Sequence, residues 1–242
     1  MRHVAVIIPA RFGATRFPGK PLADLGGRPL IAHVVERAKR ARGVAVVAVA
    51  TDDERIAAAA RAAGAEAILT GEAATGTDRV AVAAKRLSPP PELVVNLQGD
   101  EPLIEPEAIE TLLAAMESSG AEMGTLARPL EDGELERTQV VKVVTDLRGD
   151  ALYFSRAAIP HRRAGGVSPR ARAHVGIYAF TTVCLHRFAA LPATPLEQEE
   201  SLEQLRALEH GIRIRVADTA YRGFGIDTPE DLARARAILG AE

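Results

Sequence analysis

The chain has 242 residues but only one cysteine, no tryptophan and four lysines. A single thiol, Cys184, excludes an internal disulfide and a cysteine-built metal cage, and it fits a reducing compartment. No segment approaches the ~18 uninterrupted apolar residues of a membrane span. The start, "MRH", leads straight into a strand-like run, without the apolar core and cleavage site of a signal peptide. A cytoplasmic protein is expected. The formal charge of −2 leaves no global excess of positive charge for nucleic acid or an anionic membrane, so cations must act locally. Lys39 and Lys85 fall in polar stretches of helical pattern and read as solvated surface. Lys20 falls among glycines and does not.

What is present is a regular alternation. The apolar runs 4–10, 44–51, 65–70 and 93–98 are each followed by a helical pattern, at 29–41, 53–64, 78–87 and 105–120. Continuous Val/Ile/Leu runs between amphipathic helices predict a mostly parallel sheet covered on both faces, a doubly wound α/β fold. After about residue 122 the pattern turns to strands at "EMGTLARPL", "VVKVVTD", "ALYFSRA" and 172–181, with helices at 181–190 and 197–210, strand 212–218 and helix 228–240. This second half is expected to complete the sheet and add a β-rich insertion. The basic Gly/Pro-rich segment 162–173 reads as a mobile loop.

Ligands of open α/β sheets lie beyond the carboxyl ends of the strands. "PARFGATRFPGKPL" (9–22) follows the first strand there. It is not a Walker A loop: five residues separate Gly13 from Gly19, and Pro21 follows Lys20. No G-x-G-x-x-G is present either. The chemistry still suits a phosphate chain, since glycines admit backbone N–H groups to oxygens, arginine offers a planar fork and lysine a mobile charge. Arg11, Arg16 and Lys20 are the candidates, with a solvated charged turn as the alternative.

Two carboxylates complete the pattern. Asp100 in "NLQGDEP" lies just past a buried strand, where Gly99 permits a tight turn. In "GIDTPEDL" (225–232), Thr228, Pro229 and Asp231 read as helix cap, first-turn proline and reciprocating acid. Asp227 is thereby released from capping, though it remains a candidate cap itself. Asp100 and Asp227 together make a two-carboxylate magnesium site opposite the cationic loop.

Six segments, "IIPARFGATRFPGKPL", "NLQGDEPLI", "ALYFSRAAIP", "HVGIYAF", "ESLEQLRALEHG" and "GIDTPEDL", occur in order over nearly the whole chain. Together they closely resemble the 3-deoxy-manno-octulosonate cytidylyltransferases, or CMP-KDO synthetases, of the nucleotide-diphospho-sugar transferase-like fold. The resemblance implies one nucleotidyltransferase domain. Its nucleotide half covers about 1–121, sugar-binding and dimerisation elements about 122–217, and a metal-site helix about 225–242. It implies a homodimer that uses CTP and Mg2+ to activate KDO for lipopolysaccharide. By the same resemblance, Pro9, Ala10, Arg11, Lys20, Thr77, Arg79, Gln98 and Asp100 bind nucleotide. Lys20, Arg16, Asp100 and Asp227 are catalytic, and the two aspartates ligate metal. Gln98, Arg156, His174, Tyr178, Glu203 and Gln204 form the sugar pocket. The loop departs from the family's usual residues at Phe12, Ala14 and Phe17. Two other readings stand beside this one: a cytidylyltransferase for sialic acid or amino-KDO, and a catalytically silent nucleotide-binding module on the same fold.

Overall fold

Val4–Ala10 forms β1, and Val6, Ile7 and Ile8 within it have no exposed surface. A strand apolar at every position has to be covered on both faces, which requires helices above and below. The structure, a computed structural model, describes residues 2–13, 17–161, 163, 168 and 170–240. The chain divides into two units, Met1–Glu110 with Gly223–Glu242, and Thr111–Arg222.

In the first unit, β1 is followed by a one-turn 3-10 helix at Lys20–Leu22 and a hairpin of β2 (Asp24–Leu25) and β3 (Arg28–Pro29). The hairpin turns on Gly26 and Gly27, with φ of 63° and 81°, which is the backbone a two-residue primed turn demands. Then come α1 (Leu30–Arg40), β4 (Val46–Thr51), α2 (Glu54–Ala62), β5 (Glu66–Leu69), α3 (Gly76–Ala84) and β6 (Leu93–Asn96). Helix α1 buries Leu30, Ile31, Val34, Val35 and Ala38, a single helical face. Burying each of the larger four stabilises the unit by roughly 1.5–3 kcal/mol. His33, read from sequence as structural, sits 2.7 Å from the Leu25 carbonyl and so ties α1 to the hairpin.

All four longer strands run parallel, in the order β6-β1-β4-β5. The chain steps outward from β1 to β4 and β5, then returns to the other side of β1 for β6. The direction of winding therefore reverses between β1 and β6, and the loops that leave these two strands part to form a crevice.

Helix α4 (Pro106–Ser119) leads into the second unit. Its strands are β7 (Met123–Pro129), β8 (Lys142–Thr145), β9 (Ala151–Ser155), β10 (Arg172–Thr181) and β11 (Ile214–Asp218), with α5 (Thr182–Ala189), α6 (Pro195–Glu200) and α7 (Gln204–Glu209). β7 pairs parallel with β11 and antiparallel with β10, and β8 pairs antiparallel with β10 and β9. This is the β-rich part expected from sequence. Lys142 is completely buried, and its ammonium is satisfied by the carbonyls of Arg137, Val140 and Arg156. Cys184 is buried too, and burial pushes its thiol up to about 11, so it packs rather than reacts. The last helix, α8 (Pro229–Leu239), belongs to the first unit.

Two expectations need correction. The helix placed at 197–210 is two helices, because Ser201 adopts φ 51° and ends α6. The helix placed at 78–87 starts earlier, at Gly76, because Thr75 and Asp78 form a reciprocal capping box. Segment 162–173 falls partly outside the described residues. Among the described residues, no helix is long and apolar enough to cross a membrane.

Candidate active site

The crevice of the first unit contains a cavity of about 410 Å3, within the range of small-molecule sites. Pro9, Ala10 and Arg11 line it from the end of β1, and Gln98, Gly99 and Asp100 from the loop after β6. Lys20 and Asp227 reach it from the first crossover and from the residues before α8.

The first crossover is shaped by Gly19. Its φ of 71° lies in the left-handed region, and its amide donates to the Phe12 carbonyl at 2.9 Å. Lys20 follows immediately and aims its ammonium inward. Nζ lies 2.7 Å from Asp100 Oδ2, 2.7 Å from the Ile226 carbonyl and 3.5 Å from Asp227 Oδ1. Ile226 and Asp227 are brought here by backbone pairing: the Ile226 amide donates to the Asp100 carbonyl at 2.9 Å, and the Phe224 amide to Glu101 Oε2 at 2.9 Å. The cap of α8 is Thr228, with Asp231 reciprocating. Capping is thus done one residue beyond Asp227, and the Asp227 carboxylate faces the lysine.

Gly99 serves a purpose other than the tight turn expected of it. Its φ is not in the left-handed region. A Cβ there would stand 2.9 Å from the Pro9 carbonyl oxygen and 3.4 Å from Ile8 Cγ2. Glycine lets the loop carrying Asp100 lie directly on β1.

On the other side of the cavity is the start of α3, with Ala73, Ala74, Thr75 and Gly76. Ala73 and Ala74 were not singled out from sequence, because they offer backbone rather than functional groups; Thr75 and Gly76 open the stretch 75–79 in which the resemblance assigns Thr77 and Arg79 to the nucleotide. The overlooked signal was the T-x-x-D capping box, which places a helix N-terminus at this wall. Arg79 lines the cavity while remaining only 5% exposed. Its guanidinium donates to Asp52 Oδ2 at 2.8 Å, Thr70 Oγ1 at 2.6 Å and the Gly71 carbonyl at 3.0 Å. Asp52 was likewise missed; its other oxygen lies 3.4 Å from the Phe12 amide. Thr77 does not line the cavity; its buried hydroxyl accepts from Asn96 Nδ2 at 3.2 Å. Arg16 lies outside the described residues.

The remaining residues assigned to the sugar, apart from Gln98, belong to the second unit. The rings of His174 and Tyr178 are 5.5 Å apart, and Phe154 meets His174 edge-on at 5.1 Å. Burial pushes the His174 imidazole down to about 3, so it is neutral at physiological pH. Burial and, secondarily, the Glu203 carboxylate push the Tyr178 phenol well up. Arg156 donates to the carbonyls of Glu200 at 2.7 Å and of Thr138 and Ser201 at 3.2 Å. Gln204 is buried at the start of α7.

Among the described residues, no group of three or more His, Cys, Asp or Glu is placed to hold a metal ion. The two aspartates converging on one ammonium are nevertheless hard oxygen donors of the kind magnesium takes together with substrate phosphates. The donor set fits that ion.

A switch-point crevice with a cationic crossover facing two carboxylates defines a nucleotide-handling transferase of the α/β class. Comparison with known proteins makes this particular. The cytidylyltransferase family profile matches residues 5–214. The chain is 81% identical to a 3-deoxy-manno-octulosonate cytidylyltransferase of Anaeromyxobacter sp. (strain Fw109-5), covering all of this chain and 98% of the relative. It is 48% identical to the protein of that name from Myxococcus xanthus (strain DK1622), covering 99% and 97%. A solved CMP:2-keto-3-deoxy-manno-octonic acid synthetase complexed with CTP superposes with a TM-score of 0.93 at 42% identity, over 99% of both chains. The chain belongs to the cytidylyltransferase family, and within it to the 3-deoxy-manno-octulosonate cytidylyltransferases.

Proposed function

We propose that the chain transfers CMP from CTP to the anomeric 2-hydroxyl of KDO in the cytoplasm, giving CMP-KDO for lipopolysaccharide, and that it works as a homodimer. The hydroxyl oxygen bonds to the α-phosphorus, the bond to the β-phosphate oxygen breaks, and the hydroxyl proton is released as pyrophosphate leaves. Reactions of this kind rely on positioning and charge stabilisation more than on covalent chemistry. The observation that carries the reading is the convergence of Lys20, Asp100 and Asp227 at one cavity at the switch point.

The first unit takes the nucleotide. Lys20 and Arg11 meet the triphosphate, and the α3 N-terminus with Arg79 forms the wall for ribose and base. Asp100 and Asp227 would hold magnesium, which supplies charge neutralisation on the phosphates and acidifies the attacking hydroxyl. Gln98, Arg156, His174, Tyr178, Glu203 and Gln204 recognise the sugar. Arg156 fits this despite its backbone contacts: a guanidinium has five N–H donors and three are engaged, leaving two for a carboxylate. His174, neutral in the protein, offers hydrogen bonds rather than charge to an anionic sugar.

The test is pyrophosphate release from each nucleoside triphosphate with KDO, amino-KDO and sialic acid, with and without magnesium. Turnover with CTP, KDO and magnesium is expected. Turnover with another acid sugar in place of KDO would move the substrate assignment, and CTP binding without turnover on any sugar would make the chain a silent module. Asp100→Asn and Asp227→Asn should each lower kcat by at least about 100-fold while the far-ultraviolet spectrum is kept, on the scale of removing one oriented charge. Near-normal rates would remove the metal assignment.

A further inference from the structure

Lys20 does more in this structure than stand beside a phosphate site. Its ammonium is seated on oxygens of both Asp100 and Asp227 and on the Ile226 carbonyl, at 2.7, 3.5 and 2.7 Å. Its side chain is 15% exposed, against 30% and 49% for the two acids. The cation is the most enclosed member of the trio, and the acids close around it. The contact is also long in sequence, joining positions 80 and 206 residues apart.

An ammonium and a divalent ion compete for this pair of carboxylates, since Lys20 Nζ already lies 2.7 Å from Asp100 Oδ2 and 3.5 Å from Asp227 Oδ1, and a second cation on the same oxygens would stand within ~4 Å of it, where like charges repel. Nor can the seated lysine serve a phosphate fully. It has three N–H donors, and Asp100 and Ile226 already engage two. Lysine is suited to moving between partners, because its charge is a compact point on a flexible four-carbon stem.

We infer that Lys20 is an internal stand-in for the divalent cation: it holds the Asp100–Asp227 pair in the nucleotide-free protein and yields that place only when a triphosphate draws its ammonium away. This rests on the reading of Asp100 and Asp227 as the metal ligands. Free metal is then a poor ligand of the free protein, and the metal enters together with the nucleotide. The lysine keeps two nearby carboxylates from repelling each other before substrate arrives, and it becomes available to the phosphates at the moment the metal replaces it.

The experiment is a Mn2+ titration, followed by calorimetry and by the electron paramagnetic resonance of the free ion, with and without a non-hydrolysable α,β-methylene analogue of CTP. The wild type should bind Mn2+ weakly alone and tightly with the analogue. Lys20→Met should bind Mn2+ without nucleotide at least about tenfold more tightly than the wild type, because a competing cation has been removed from hard oxygen donors. Adding Asp100→Asn should abolish that gain. Lys20→Gln, which keeps an N–H donor for Ile226 without the charge, should behave like Lys20→Met and guards against a folding defect in the latter. Equal Mn2+ affinity of wild type and both lysine variants without nucleotide overturns the inference. If Asp100→Asn and Asp227→Asn leave analogue-dependent Mn2+ binding intact, the metal assignment itself has failed. If they abolish it while the lysine variants match the wild type, only the stand-in role has failed.

Discussion

Gly99→Ala tests whether the site depends on the close seating of one loop on one strand. The added Cβ would lie 2.9 Å from the Pro9 carbonyl oxygen, whereas ordinary contact begins at 3.4 Å. Relief needs a shift of about 0.5 Å, taken as 3.4 less 2.9, and the obstacle is backbone on a central strand rather than the end of a flexible side chain. Ile8 Cγ2 at 3.4 Å and Ile31 Cδ1 at 3.7 Å restrict the direction of retreat. Overpacking of this kind costs about 1–3 kcal/mol. For a chain of this length that lowers Tm by roughly 2–12 °C. The loop moves with Asp100 attached, 2.7 Å from Lys20. Since misplacement by 1 Å can cost about 100-fold in rate, half of that predicts a loss of about tenfold in kcat. Pyrophosphatase-coupled phosphate release at saturating CTP and sugar gives kcat, and a calorimetric melt gives Tm. Gly176→Ala is the control, because a Cβ there meets nothing within 4 Å. A Gly99→Ala protein with unchanged kcat and Tm would refute the argument from close packing.

Asp52→Asn removes the charge partner of Arg79, whose side chain is 5% exposed while that of Asp52 is 32% exposed. Partial solvation limits the loss to about 1–2 kcal/mol, so the KM for CTP should rise about tenfold. The sugar KM should stay constant, and equal changes in both would count against a role confined to the nucleotide. Arg156→Ala should raise the sugar KM far more than the CTP KM in steady-state assays, and a parallel rise in both would argue against carboxylate recognition. His174 has its imidazole pushed down to about 3 in the folded protein, below its ordinary value of 6.5. The unfolded chain therefore binds the extra proton first as pH falls. The stability that neutral His174 confers is complete above pH 6.5 and is lost between 6.5 and about 3, at no more than about 1.4 kcal/mol per pH unit. Urea midpoints at pH 7.5 and pH 5 should therefore fall further for the wild type than for His174→Asn. Identical falls would mean that the imidazole is solvated.

The sequence alone determined whatever rests on neighbours within a few residues. Apolar runs and helical periods placed β1, β4, β5, β6 and the helices between them to within a few residues, and so defined the α/β class. The order Thr228, Pro229, Asp231 placed the cap of α8 beyond Asp227, because capping is a contact between adjacent turns. The glycine and cation content of residues 9–22 marked the crossover as unusual. Tertiary structure decided everything that needed strand order. Lys20 meets Ile226 across 206 residues only because winding reverses between β1 and β6. Arg79 reaches Asp52 because α3 lies beside the end of β4. Ala73 and Ala74 carry no side-chain signal, and they become a wall of the cavity through a helix start that the fold turns toward it. Gly99 is glycine because of a strand about ninety residues earlier in the chain, a distance at which local pattern carries no information and packing decides.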